Sequence, residues 1–162
     1  YLHYLQEAYL VRLLPLYTFK SKDRQTARKC YAVDPAFITN HEDMLQTPNL
    51  GWRLENVVAI ELMRRMDSEI ESLFYYRKPK DFEVDFVRVK MSRIEELVQV
   101  TYDFREPATK QYNREIGGLI KGARLTQCDT LTLVMMDGKP QTIEKDGYCI
   151  HCVSATDWLL QR

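Results

Sequence analysis

The sequence predicts an α/β fold in which a mixed central sheet is flanked by helices. Residues 82–89 alternate between apolar and polar side chains, as a half-buried strand does. Residues 129–136 form a largely apolar run, which is typical of a strand buried on both faces. A helical pattern at 107–125 lies between these two segments, so we expect a helix that crosses over between strands of one sheet.

The start of the chain predicts a helix followed by a β-hairpin. Apolar residues recur at helical spacing over residues 1–14, and Pro15 ends the pattern. Residues 14–19 and 27–34 then alternate as strands around the polar turn 20–26. A helix followed by a two-stranded hairpin is typical of the second half of a winged helix-turn-helix domain.

These patterns divide the chain into two predicted parts. Residues 1–34 are interpreted as a partial winged helix-turn-helix, and residues 35–162 as the α/β domain. The chain starts with Tyr1 inside a helical pattern, so we expect it to be a fragment of a longer protein.

The first half of the α/β domain is predicted as one long helix and three strands. The helix covers 47–66, with Asn49 as its N-cap. Its apolar side is assigned to Leu54, Val57, Val58, Ile60 and Leu62. The strands are predicted at 72–77, 82–89 and 96–102, and the first two form a hairpin.

The second half is predicted as helix, strand, strand and helix. After the helix at 107–125 and the apolar strand, residues 148–154 read as the last strand and 155–161 as a short helix. Gly117 and Gly118 lower the intrinsic stability of the first of these helices by roughly 1 kcal/mol each, which indicates close packing on the sheet.

Composition and charge limit the function. The chain has 162 residues, is 45% hydrophobic and 28% charged, and has a formal net charge of zero. These values are typical of a folded soluble domain and lack the basic excess of a protein that coats duplex DNA. No apolar run reaches the ~18 residues of a membrane helix, and no signal peptide is evident, so we expect no membrane partners. The four cysteines do not have a disulfide-like pattern, which favours a reducing, cytoplasmic location.

The four cysteines are interpreted as structural thiols. Cys149 and Cys152 have the spacing of half a zinc site, but a second Cys/His pair at matching spacing is absent from the sequence. Both lie in a predicted strand, where residues three apart point to opposite faces. Zinc binding is therefore not expected.

Acidic residues within the predicted sheet indicate a functional site. Glu83 and Asp85 share one face of the strand at 82–89, and Gln99 is central in the neighbouring predicted strand. Glu55 lies in the preceding helix. Oxygen donors of this kind suit Mg²⁺, which could polarise a phosphodiester and activate water. We expect Glu55, Asp85 and Gln99 to converge at one end of the sheet.

The order of these residues resembles a known superfamily. Helix-Glu, strand-Asp, strand-(Glu/Gln)-x-Lys is the pattern of the PD-(D/E)XK, or restriction-endonuclease-like, superfamily. More closely, the chain resembles domain-of-unknown-function family 4143, through the segments YLHYLQEAYL, KCYAVDPAF, GWRLENVVAIEL, FEVDFV, VQVTYD and REIGGL. The resemblance implies the C-terminal, nuclease-like domain of a prokaryotic AAA-type ATPase, preceded by a winged helix.

The resemblance implies roles for individual residues. Glu55, Asp85 and Gln99 match the candidate catalytic and Mg²⁺-binding positions. Thr101 stands where the pattern has a lysine, and threonine cannot supply the positive charge. The chain has no Walker A motif, so no ATP site is expected in it. An ATPase module of the same protein, N-terminal to this chain, is the implied partner.

Basic residues provide candidate nucleic-acid contacts. Arg77, Lys78 and Lys80 lie in the predicted hairpin turn, and Arg114 lies on the helix at 107–125. The alternative is that both regions are solvated surface.

Three functions remain open. The preferred one is a nucleic-acid-associated or regulatory nuclease-like domain whose cleavage is weak or lost. An active Mg²⁺-dependent nuclease would need a Lys or Arg within hydrogen-bond reach of Asp85. A protein-interaction or oligomerisation module, including a homo-oligomer, is the third.

Overall fold

The computed structural model describes residues 1–39, 50–104 and 110–161, and it confirms a mixed sheet with flanking helices. A six-stranded sheet has the order β3-β4-β5-β6-β8-β7, and β1 and β2 form a separate two-stranded sheet. In the described part of the chain, no helix is long and apolar enough to cross a membrane.

The N-terminal segment differs from its prediction. Helix α1 (Leu2–Glu7) is short, and residues of the predicted helix instead form strand β1 (Val11–Pro15). The physical reason is tertiary: β1 pairs antiparallel with β2 (Arg28–Ala32) and buries Leu14 in the core. The predicted hairpin is therefore correct, but its first strand begins earlier, and its polar connection contains the short helix α2 (Ser21–Thr26).

The long helix of the domain is confirmed. A short helix α3 (Ala36–Thr39) precedes α4 (Leu50–Arg65), and the predicted N-cap Asn49 lies outside the described residues. Val57 and Ile60, assigned to the buried side, are only half-buried. The residues that α4 buries are Leu54, Asn56, Val58, Ala59 and Leu62.

The large sheet begins with three antiparallel strands, which are β3 (Glu71–Lys78), β4 (Phe82–Lys90) and β5 (Arg93–Thr101). Helix α5 (Lys110–Thr126) then crosses over to β6 (Leu131–Met135), which pairs parallel with β5. This is the crossover that the sequence predicted, and β6 is buried at every position.

The sequence reading missed one strand. Strand β7 (Gln141–Lys145) pairs antiparallel with β8 (Tyr148–Ser154) at the edge of the sheet, and helix α6 (Ala155–Leu160) follows. β7 is polar and largely exposed, so it carries almost no apolar alternation. The sequence feature that indicates a hairpin here is the turn Asp146-Gly147 between β7 and β8. Both residues have positive φ, as a two-residue hairpin turn requires.

Two apolar cores lie on the two faces of the sheet. One contains Phe86 and Val98 of the sheet with residues of α4, α6 and the β1–β2 hairpin; Leu14 and Tyr31 of the hairpin are each 1% exposed there. The other contains Val84 and Leu97 with the apolar side of α5. The hairpin thus shares a core with α4, and it lies directly over the strand that carries Asp85.

Candidate functional site

All of the predicted site residues lie at one cleft. The cleft has a volume of about 720 Å³ and opens at the ends of β4 and β5. Its walls include the three predicted oxygen donors, the threonine two residues after the last of them, and the four predicted basic residues: Glu55, Asp85, Gln99, Thr101, Arg77, Lys78, Lys80 and Arg114. The expected convergence of Glu55, Asp85 and Gln99 is therefore present in the structure.

A bulge in β4 directs Asp85 toward the hairpin. Phe74 is opposite Val87 and Tyr76 is opposite Val84, so β4 spans one residue more than β3 between these pairs. In a regular strand, consecutive side chains point to opposite faces. Here Asp85 contacts Lys29 of the hairpin, and its neighbour Phe86 also packs on the hairpin side. Bulges re-aim side chains in this way next to functional sites.

Asp85 is held by the sheet as well as by the hairpin. Its side chain is 9% exposed. The backbone N–H of Val100 donates to Asp85 Oδ2 at 3.1 Å, and Gln99 Oε1 accepts from the backbone N–H of Asp85 at 3.2 Å. The aspartate and the glutamine therefore bind each other's strands across the β4–β5 pair.

Gln99 and Thr101 face α5. Gln99 Nε2 donates to Glu115 Oε2 at 2.6 Å, and Gln111 Nε2 donates to Thr101 Oγ1 at 3.0 Å. Glu115 in turn forms an ion pair with Arg114. Thr101 is 3% exposed and its hydroxyl is bound on both sides, since it also donates to the carbonyl of Asp103. It gives the cleft no positive charge.

The cation that the sequence analysis missed is Lys29. Its ammonium nitrogen lies 2.9 Å from Glu55 Oε1, 2.7 Å from Glu83 Oε1 and 3.1 Å from Asp85 Oδ1. Tyr31, two residues along β2 and on the same face, donates its hydroxyl to Glu55 Oε1 at 2.7 Å. The strand-like alternation of KCYA was visible in the sequence, but no local pattern showed that Lys29 would contact residues of β4 and α4.

The three carboxylates outnumber the one ammonium, and the pKa values reflect this. Burial and the neighbouring Glu55 raise the pKa of Asp85 to about 7, against the opposing effects of Lys29 and the Val100 N–H. For Lys29, burial lowers the pKa, but the carboxylates of Asp85, Glu55 and Glu83 more than offset it, so the net shift is upward. The cluster therefore keeps Lys29 charged.

The basic residues form an exposed rim. The side chain of Lys78 is 61% exposed and pairs with Asp81 at 3.7 Å, while that of Arg114 is 76% exposed. Lys78 can turn toward a phosphate at small cost, because surface ion pairs contribute little free energy, whereas Arg114 is paired with the buried Glu115.

The predicted Mg²⁺ ligands do not fit a metal in this arrangement. Asp85 uses both oxygens, for Lys29 and for the Val100 N–H, and Gln99 Oε1 is bound to the Asp85 backbone. Glu55 Oε1 is shared by Lys29 and Tyr31. Across residues 1–39, 50–104 and 110–161, no group of three His, Cys, Asp or Glu side chains is arranged to hold a metal ion.

The cysteine pair has the predicted geometry. Cys149 is exposed and Cys152 is buried, so the two thiols lie on opposite faces of β8. Of the four cysteines interpreted as structural thiols, Cys128 and Cys152 are buried and Cys30 is half-buried, whereas Cys149 is exposed, so a buried structural role is wrong for Cys149.

Comparison with known proteins identifies a relative in an archaeon. The chain is 32% identical over 145 residues to an uncharacterized protein of Methanocaldococcus jannaschii. The alignment covers 90% of this chain and 31% of that protein, so the chain spans about a third of the length of the curated relative that it matches. No protein-family model matches the chain, and no solved structure matches it.

Proposed function

We propose that this chain is a restriction-endonuclease-like domain that binds the nucleic-acid backbone at its cleft and cleaves it weakly or not at all. The observation that carries the proposal is the meeting of Glu55, Asp85 and Gln99 at one cleft. They come from a helix and two adjacent strands, in the order that the resemblance implies. The bulge beneath Asp85 supports a specialised role, since it interrupts the regular ladder at the residue that contacts Lys29.

The expectation of weak or lost cleavage is supported by the charge at the site. Thr101 replaces the lysine of the pattern, and the oxygens of Asp85 and Gln99 that would bind Mg²⁺ are already hydrogen-bonded within the protein. Lys29 does bring an ammonium within 3.1 Å of Asp85 Oδ1. An active nuclease would need a Lys or Arg at this distance from Asp85. The same ammonium engages the carboxylates that a metal would need, so active cleavage is kept as an outcome of the test.

Nucleic-acid binding is supported by the rim. Arg77, Lys78, Lys80 and Arg114 line the same cleft as the acidic cluster. Phosphate contacts are made by such exposed Lys and Arg side chains, and they position a strand without reading its sequence. The zero net charge of the chain agrees with a local contact of a few phosphates rather than with wrapping of a duplex.

The larger protein is proposed to be an AAA-type ATPase in which this domain is the C-terminal module. The length of the relative, of which this chain spans about a third, leaves room for an ATPase module. The Walker A motif is absent from this chain, so ATP binding would belong to that module, and the location would be cytoplasmic.

Binding is tested by fluorescence anisotropy with labelled single- and double-stranded DNA over a range of salt concentrations. The double variant Lys78→Gln/Lys80→Gln should bind more weakly, and the slope of log K against log salt should fall by about 1 per lost phosphate contact. Lys139→Gln is the matched control, because Lys139 is exposed in the β6–β7 connection and does not line the cleft.

The alternatives give distinct results in the same experiment. Cutting that requires Mg²⁺ or Mn²⁺ and is lost in Asp85→Ala would establish an active nuclease. Absence of any DNA binding, together with a stable dimer in solution, would favour an interaction or oligomerisation module.

A further inference from the structure

The carboxylates of the cleft converge on a cation that the protein itself provides. Glu55, Glu83 and Asp85 come from α4 and β4, and their oxygens lie 2.7–3.1 Å from Lys29 Nζ. The side chain of Lys29 is only 21% exposed, so this contact is partly buried and less screened by solvent than a surface pair.

The hairpin that carries Lys29 is firmly held. Asn56 of α4 is fully buried and binds both backbone groups of Ala32, accepting from its N–H at 2.8 Å and donating to its carbonyl at 2.9 Å. Tyr31 packs against Phe86, with ring centroids 6.0 Å apart. Because Tyr31 and Ala32, two and three residues after the lysine on β2, are fixed to the body of the domain, Lys29 is held over the cluster.

An ammonium and a divalent cation compete for such oxygens. Mg²⁺ requires oxygen ligands at about 2.0–2.1 Å in octahedral geometry, which is closer and more regular than the contacts that an ammonium makes. A dication placed among the same three carboxylates would also lie within a few ångströms of the positive charge of Lys29, where the repulsion is strong at low local dielectric.

We propose that Lys29 is the resident cation of this site and that it excludes divalent metal ions from the three carboxylates. The N-terminal hairpin thereby closes the acidic cluster from within the fold. The occupancy of the carboxylates by Lys29 is independent of whether the rim binds DNA, and the two are measured separately.

The test compares the binding of Mn²⁺ and Mg²⁺ alone to purified variants by isothermal titration calorimetry. Lys29→Met removes the ammonium and leaves three uncompensated carboxylates, so it should bind Mn²⁺ at least about tenfold more tightly than the wild type. Arg28→Met is the matched control, because it removes one positive charge from the adjacent residue of β2, which is exposed. It should bind as the wild type does.

Adding Asp85→Asn to Lys29→Met should abolish most of the gained affinity, since it removes one of the three carboxylates. Equal Mn²⁺ affinity in the wild type and in a folded Lys29→Met protein would overturn the proposal. DNA binding by the wild type plays no part in these readings, so a failure here is distinct from a failure of the proposed function.

A measurement on the unmodified chain covers the case in which Lys29→Met does not fold. Mn²⁺ is paramagnetic and broadens the NMR signals of nuclei near its binding site. At low millimolar Mn²⁺, the amide signals of Asp85 and Val100 in the wild type should broaden no more than those of exposed acidic loops. Selective broadening of these two signals would show that the metal enters despite Lys29, and the proposal would be wrong.

Discussion

The packing of α5 on β4 makes a sharp prediction from two glycines of one helix. A Cβ added at Gly122 would lie 2.7 Å from Val84 Cγ2 and 3.4 Å from Leu97 Cδ1, whereas one added at Gly117 meets nothing within 4 Å. Both substitutions to alanine gain the same helix propensity, about 1 kcal/mol. They differ only in what the new methyl group touches.

The contact at Gly122 is about 1 Å shorter than the carbon–carbon optimum of about 3.5–4.0 Å. Val84 is fully buried and β-branched, so it cannot rotate away easily. Overpacking of this kind costs about 1–3 kcal/mol. Gly117→Ala should therefore raise the free energy of unfolding by up to about 1 kcal/mol. Gly122→Ala should have a free energy of unfolding about 1–3 kcal/mol lower than that of Gly117→Ala.

The assay is urea unfolding followed by circular dichroism, with the midpoint and slope fitted for each variant. Equal slopes would show that only stability changed. The close approach of α5 to β4 is refuted if the two variants have the same urea midpoint, or if the midpoint of Gly122→Ala is higher than that of Gly117→Ala. The placement of α5 beside Gln99 would then be wrong as well.

Three further predictions concern the hairpin, the acidic cluster and the cysteines. Asn56→Ala should lower the free energy of unfolding by about 2–4 kcal/mol, because two backbone groups of β2 lose their partner; the exposed Asn113→Ala should change it little in the same urea assay. The pKa of Asp85 is raised from 3.8 to about 7, so the folded protein binds more protons than the unfolded chain between these values, and stability falls as pH rises through that window. In Asp85→Asn the loss between pH 5 and pH 7 should shrink by about 2–3 kcal/mol, and an unchanged profile would contradict the burial of this carboxyl. Cys149 is exposed and should react with iodoacetamide in the native protein, whereas Cys152, whose pKa burial raises to about 11, should react only after unfolding; mass spectrometry of the peptides distinguishes them.

Local patterns were sufficient for the elements that bury an apolar side. Helix α4 and strands β3, β4, β5 and β8 have a periodic or strand-like pattern, β6 is a continuous apolar run, and each was predicted. The prediction failed at Val11–Pro15, which has the apolar content of a helix but pairs with β2, and at β7, whose exposed residues show little apolar alternation. In both places the deciding interaction is with a strand elsewhere in the chain.

By itself, the sequence determined that Glu55 would lie on a helix and that Asp85 and Gln99 would lie on two strands, because periodicity indicates which type of element a segment forms. The sequence could not determine which side chains would contact these three residues. The bulge that turns Asp85 toward the hairpin and the placement of Lys29 among three carboxylates depend on strand register and on packing between segments distant in the chain. Only the tertiary structure decides these, because the electrostatics of a buried group depend on neighbours that sequence spacing does not reveal.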